Sequence, residues 1–182
     1  MVVIGCGVVA AIVLLCCAGG GLLFWREGAS DLFACSDLTT KGEYKQAIPP
    51  CRAVIAKQPR SELGHNNLGW CLALDGQLKE GLVESREAVE LQPNRSSYDT
   101  LAMALALSGQ GKEALQIETE HVMVDGDVTD NSQRATLGMV YYAVGRNQDA
   151  YRQWEMARNS SEVPAQKLAT ELEAKYPSST AP

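Results

Sequence analysis

The chain has 182 residues, and its 16 lysines and arginines against 22 aspartates and glutamates give a formal net charge of -6. Phosphate recognition depends on a basic surface, so this composition argues against nucleic-acid binding. A hydrophobic fraction of 46% is sufficient for a folded core. The length therefore predicts one domain with an extension.

The first predicted element is an apolar segment, residues 2–25, which contains no charged side chain. A helix of this length crosses a hydrocarbon core of about 30 Å and satisfies its own backbone in lipid. Trp25 and Arg26 are typical of a membrane interface. A cleaved signal peptide is disfavoured, because no basic leader precedes the segment and because the apolar run continues past its small residues. We expect an uncleaved transmembrane anchor at residues 1–26, in contact with the bilayer.

After the anchor, four glycines recur between apolar segments of helical spacing, at intervals of 34, 33 and 36 residues: Gly42, Gly76, Gly109 and Gly145. Small residues recur seven positions before them, at Cys35, Gly69, Ala102 and Gly138, and five positions after them, at Ala47, Gly81, Ala114 and Ala150. Glycine ends helices readily, and small residues allow helices to pack closely. Each unit is therefore predicted to be a helical hairpin in a repeat architecture.

The second unit carries the repeat pattern best, at Leu68, Gly69, Leu72, Gly76, Gly81, Ala88 and Pro93. In these columns the chain resembles the tetratricopeptide repeat (TPR) family, and with its apolar segment it resembles a membrane-anchored TPR protein. The resemblance implies an all-α fold, with an N-terminal transmembrane helix followed by an α-solenoid of about four TPR-like hairpins and a C-terminal capping helix. The solenoid is expected at residues 27–161, with repeats at about 28–61, 62–94, 95–128 and 131–161. A capping helix is expected at residues 162–176 and a disordered tail at 177–182.

The resemblance also implies that the first helices of the hairpins line a concave face that binds extended peptides or partner helices. On that face the sequence predicts a largely apolar channel with a few polar side chains for a ligand backbone: Asn66, Trp70, Leu74, Asp99, Met103, Leu107, Met139 and Tyr142. Exposed Trp and Met suit a partner's hydrophobic side chains, since Trp anchors and Met repacks. Two alternatives stay open. Trp70 and the two methionines pack between hairpins, or the C-terminal tail fills the channel.

Two cysteines, Cys35 and Cys51, lie in columns that face each other across the first hairpin. Pro49 and Pro50 fall inside its second helix, where they predict a kink or a restart, and a disulfide would brace such a hairpin. Two buried thiols are the slightly favoured alternative, so the sequence leaves the state of the pair open.

The side of the membrane is indicated by two conflicting signals. A disulfide would place the domain in an oxidising compartment. Arg26, Lys41 and Lys45 follow the span, and by the positive-inside rule they favour the cytoplasm. Because an N-terminal anchor followed by a soluble repeat domain is a common export arrangement, we expect a single-pass membrane protein whose soluble domain is exoplasmic or periplasmic.

No motif in the sequence indicates catalysis. His65 and His121 lie in different units without a nucleophile motif, and His121 is expected to pack in a small-residue column. No CxxC spacing supports a zinc site, and the acidic run 125–130 is better explained as a connector and helix cap than as a calcium loop. We expect a non-enzyme without cofactor or metal.

The predicted function is that of a membrane-tethered scaffold or assembly factor. Its partner would be a protein, itself membrane-associated, bound in the concave groove. The alternative is a permanent accessory subunit of a membrane protein complex, which contacts the complex through the transmembrane helix.

Overall fold

The computed structural model describes residues 30–124 and 126–177, and every regular element within them is helical. The all-α prediction is confirmed. In chain order the helices are α1 (30–40), α2 (Tyr44–Lys57), α3 (Glu62–Leu74), α4 (Leu78–Leu91), α5 (Arg95–Leu107), α6 (Gly111–Ile117), α7 (Asn131–Ala143), α8 (Asn147–Arg158) and α9 (Val163–Lys175). A π-helical turn, Glu118–Val122, continues α6.

Consecutive helices pack as hairpins, α3 with α4, α5 with α6 and α7 with α8, while a disulfide joins α1 to α2. The hairpins also contact one another through their first helices, because α5 packs between α3 and α7. The first helices of the hairpins therefore line one shared inner face.

Each hairpin turn contains a glycine with a positive φ, between 71° and 86°: Gly42, Gly76, Gly109 and Gly145. The residue after each glycine donates its N–H to the carbonyl of the residue four before that glycine, as Gln77 does to Leu72 at 2.8 Å. A residue with a Cβ is strained in this conformation, so the glycine is required where the first helix ends.

Within the hairpins, small residues on the first helix face fully buried side chains on the second. A Cβ on Gly69 would lie 2.6 Å from Oγ of Ser85, and a Cβ on Gly138 would overlap the ring of Trp154. Trp154 also donates its Nε1–H to the carbonyl of Ala135 at 3.0 Å. The pairing of a small residue with a larger one therefore sets how closely the two helices of a hairpin approach.

The last helix, α9, packs on α7 and α8 and reaches back to the first hairpin. Leu168, Ala169 and Leu172 are buried in the main core. From the same helix, Lys167 Nζ donates to the carbonyls of Lys41 at 2.9 Å and Gly42 at 3.3 Å. The helix expected to cap the last hairpin therefore also extends to the turn of the first one.

The expected packing of His121 is wrong, and the π-helical turn is the cause. This wider turn shifts the register by one residue, so Val122 takes the buried position while His121 is exposed. The imidazole stacks on the ring of Tyr98, with the two centroids 4.0 Å apart.

The expected restart of the second helix does not occur, because α2 runs without interruption through Pro49 and Pro50. The carbonyls left without a helical donor belong to Lys45 and Gln46. Both of these residues are exposed, so water can hydrogen-bond the two carbonyls.

Among the described residues, no helix is both long enough and apolar enough to span a bilayer. The anchor predicted at residues 1–26 lies outside the described residues, as does the tail beyond residue 177.

Candidate functional site

The two methionines predicted to contact a partner belong to the core. Met103 is fully buried and Met139 is 3% exposed. Helix α5, which carries Met103, packs between α3 and α7, and α9 packs on α7, which carries Met139. The chain's own helices therefore cover the two methionines that the sequence assigns to a partner. The prediction for Met103 and Met139 is corrected accordingly, and the packing interpretation applies to both.

Three other predicted groove residues, Leu74, Leu107 and Tyr142, are half-buried and pack against the main core. The ring of Tyr142 has its centroid 6.0 Å from that of Trp154 and 5.2 Å from that of Tyr176. These side chains take part in packing, and they do not form a continuous apolar channel.

The remaining predicted residues, Asn66, Trp70 and Asp99, come together at a cavity of about 360 Å³ on the inner face. Helices α1, α3, α5 and α7 contribute most of its walls, and the first turns of α9 close one side. Most of the side chains around it are polar, among them Asn67, Ser96, Thr100 and Ser132. The inner face therefore offers a cavity with a mixed polar and apolar lining where the sequence predicts a largely apolar channel.

On α3, two adjacent asparagines are oriented by serines of the neighbouring hairpins. Nδ2 of Asn66 donates to Oγ of Ser96 at 3.4 Å, and Nδ2 of Asn67 donates to Oγ of Ser36 at 3.1 Å. Oδ1 of Asn66 is buried and finds no donor in the part of the chain that the structure describes. The amide is thus held by one hydrogen bond, with its oxygen shielded from solvent.

Asp99 lies on α5 with 7% of its surface exposed, and its Oδ2 accepts a hydrogen bond from Oγ1 of Thr136 at 3.1 Å. The carboxyl also forms a hydrogen bond with the carboxyl of Glu118. Burial raises the pKa of this carboxyl to about 7, despite the hydrogen bond from Thr136 that lowers it. Burial therefore favours the protonated form of this carboxyl.

Behind Asp99, the π-helical turn places a second acid, Glu118, in the core. Glu118 is fully buried, and its carboxyl hydrogen-bonds that of Asp99. Burial and the adjacent Asp99 together raise the pKa of Glu118 to about 10. The pair therefore keeps at least one proton at neutral pH.

Thr136 and Glu118 are among the residues of this site that the sequence analysis does not single out. The sequence feature that could have identified Glu118 is its place in the repeat, nine residues after the turn glycine. The four side chains at this place are all fully buried: Cys51, Ser85, Glu118 and Trp154. An acid at a position that faces the other helix of its hairpin indicates a buried carboxyl.

Cys35 and Cys51 form a disulfide between α1 and α2, with their Cα atoms 4.8 Å apart. Cys71 is buried, and its Sγ lies 3.2 Å from Oγ1 of Thr39. Burial raises the pKa of the Cys71 thiol to about 11, which leaves it protonated and unreactive.

His65 is fixed on both sides of its ring. Its Nδ1 lies 2.6 Å from Oε2 of Glu84 and its Nε2 lies 3.0 Å from the carbonyl oxygen of Pro59. The imidazole thus links α3 to α4 and to the preceding loop, which is a structural role.

No family model matches the chain, and no curated protein matches it. A fold of helical hairpins hosts many functions, so what this chain does has to follow from the cavity and its residues.

Proposed function

We propose that the chain is a non-catalytic interaction scaffold or assembly factor, a membrane-anchored solenoid of TPR-like hairpins that binds a segment of a partner protein at the inner-face cavity. The observation that supports this most is the cavity itself, because first helices from four hairpins line it with polar side chains and α9 adds an apolar side. Walls built on packed helices lose little conformational entropy when a ligand docks.

The size of the cavity limits what enters it. A volume of about 360 Å³ accommodates one or two side chains but not a helix about 10 Å across. Thr40 and Ser96 are exposed at its edge. The proposed partner therefore lays an extended segment along the mouth and inserts a side chain between α3 and α5.

The apolar residues 2–25 support the proposed tether. Tethering raises the effective concentration of the cavity toward partners in the same membrane. The disulfide between Cys35 and Cys51 supports an oxidising compartment, and with it the exoplasmic or periplasmic placement.

A photoreactive residue at Ser96 of the whole chain, in its own membrane, tests this function. The matched control carries the same group at Glu90, an exposed residue of α4 that does not line the cavity. We expect a protein crosslink from Ser96, its loss when Trp70→Ala is added, and none from Glu90. Crosslinks of equal yield from both positions, or none from Ser96, would remove the cavity as the partner site.

One observation favours the accessory-subunit function. Phe33 on α1 is 74% exposed and follows the predicted span closely in sequence. In a permanent complex this ring would be covered by a neighbouring subunit. A chain cut before Ala29 should then aggregate, and Phe33→Ser should restore its solubility, whereas a scaffold that binds only at the cavity stays soluble without either change.

A further inference from the structure

The end of the first hairpin at which α1 begins carries two exposed apolar side chains. Phe33 of α1 is 74% exposed, and Leu63, the second residue of α3, is 43% exposed. Lys57 in the last turn of α2 pairs with Asp31 in the first turn of α1 at 2.7 Å, so α2 ends where α1 begins. A short loop then leads from α2 directly into α3. We call this surface the entry end, and it comprises residues 30–33 and 57–63.

The charges of the entry end leave one cation without an acid. Lys57 is neutralised by Asp31, and Glu62 accepts a hydrogen bond from Nδ2 of Asn94 at 3.3 Å. Arg60 is exposed and forms no ion pair with the part of the chain that the structure describes. A guanidinium binds phosphate through paired N–H donors, and apolar side chains beside a basic one are typical of surfaces that lie in a lipid headgroup layer.

The sequence places the entry end close to the predicted span. The apolar residues 2–25 are followed by only four residues before α1 begins at residue 30. A chain that runs fully extended from residue 25 to residue 30 reaches at most about 18 Å. The headgroup layer adds about 5–8 Å to each side of the hydrocarbon core. With residues 2–25 across the bilayer, α1 therefore starts within about 13 Å of the outer edge of that layer, and a link that is not fully extended brings it closer.

We propose that the entry end docks on the bilayer that holds the chain, with Phe33 and Leu63 in the headgroup layer and Arg60 donating to lipid phosphate. This inference rests on the proposed function, because it takes residues 2–25 as the anchor, and it adds the surface by which the solenoid contacts lipid. The bilayer is favoured over a neighbouring subunit because the short link keeps the entry end beside lipid in every state of the chain. Contact at the entry end limits rotation of the solenoid about this link, so the cavity keeps one orientation toward partners in the same membrane.

The test uses the fact that the chain has two phenylalanines, Phe24 in the predicted span and Phe33. 4-Fluorophenylalanine therefore gives two fluorine resonances in the whole chain, reconstituted in phosphatidylcholine nanodiscs, and Phe33→Leu assigns them. A phosphatidylcholine with a nitroxide near its headgroup broadens resonances at the bilayer, whereas a soluble gadolinium chelate broadens those of rings in water. We expect the nitroxide lipid to cause loss of both resonances and the chelate to leave both intact.

Matched variants locate the contact. Val83→Phe adds a third fluorinated ring at a position of α4 that is 63% exposed, and we expect the chelate alone to broaden it. Arg60→Gln should cause a partial loss of the protection of Phe33 from the chelate. Lys79→Gln changes an exposed basic residue at the turn end of the next hairpin and should leave that protection unchanged. All of these positions are exposed, so the variants should fold.

A Phe33 resonance that the chelate broadens as strongly as that of the ring in Val83→Phe would overturn the proposal and leave Phe33 free for a neighbouring subunit. Equal effects of Arg60→Gln and Lys79→Gln would overturn the phosphate contact. Failure of the proposed function is recognised separately. A Phe24 resonance that the chelate broadens would remove the anchor and the docking together, whereas a protected Phe24 and a Ser96 crosslink with an unprotected Phe33 would leave the scaffold and remove only the docking.

Discussion

Replacing Glu118 by glutamine should stabilise the protein at mildly alkaline pH and leave it almost unchanged at acidic pH. Burial, with Asp99 beside it, raises the pKa of Glu118 from 4.5 to about 10. The folded chain therefore holds this proton at about pH 8, whereas the unfolded chain releases it above about pH 5. The stability from this group is fully present below the unfolded pKa and declines as the pH rises toward the folded pKa.

The expected size of this change in stability follows from the single proton that Glu118 takes up on folding. Each pH unit lowers the free energy of unfolding by about 1.4 kcal/mol, which amounts to about 4 kcal/mol between about pH 5 and about pH 8. Glutamine has the same shape and no titrating proton. The difference in free energy of unfolding between Glu118→Gln and wild type should therefore grow by up to about 4 kcal/mol across that range.

Urea unfolding of the chain without residues 1–26, followed by far-UV circular dichroism at both pH values, measures this difference. The matched control is Glu90→Gln, which changes an exposed acid of α4 and should alter the free energy of unfolding equally at both pH values. A stability difference for Glu118→Gln that is the same at about pH 5 and about pH 8 would refute a buried, protonated Glu118.

Three further predictions concern packing and crosslinks. Cys35→Ser with Cys51→Ser should lower the free energy of unfolding by about 3 kcal/mol, measured in urea, and a reductant should destabilise the wild type but not this variant. Gly138→Ala should lower the free energy of unfolding by about 1–3 kcal/mol, measured by thermal unfolding, because its Cβ would overlap Trp154. The loss of stability should be smaller when Trp154→Phe is also present. Lys167→Met should speed amide hydrogen exchange in α9 with little loss of global stability, whereas Lys112→Met, at an exposed position of α6, should leave the exchange of α9 unchanged. Equal protection of α9 in both variants would show that the hydrogen bonds to Lys41 and Gly42 do not hold the helix.

The helical hairpins could be predicted because their requirements are local. A positive φ at each turn needs glycine, so Gly76 and its three equivalents are visible at fixed spacing. Columns that face each other within a hairpin are equally regular, as Gly138 opposite Trp154 shows. Both features depend on residues less than twenty positions apart, which a periodic pattern records.

The inner face could be predicted only in part, because exposure depends on distant elements. Asn66, Trp70 and Asp99 do line one cavity. Met103 and Met139 look exposed in a helical pattern, and nothing in that pattern shows that neighbouring helices and α9 cover the surface. The π-helical turn is a second feature that the pattern does not show. It moves His121 to the surface by a change of helical register, which no single residue in the sequence indicates.

The disulfide illustrates a different limit. Facing columns bring Cys35 and Cys51 together whether they are bonded or reduced, so spacing alone does not distinguish a bridge from two thiols.

In an open stack of repeats each unit contacts only its neighbours, and such arrays fray from their ends. Here a side chain near the carboxyl terminus bonds to a carbonyl 126 positions earlier, at the turn of the opening pair of helices. This contact places the end of the array beside its beginning, although the two are far apart in the sequence. Removal of the first hairpin should therefore leave α9 without one of its contacts, an effect that a simple stack of neighbours would not show.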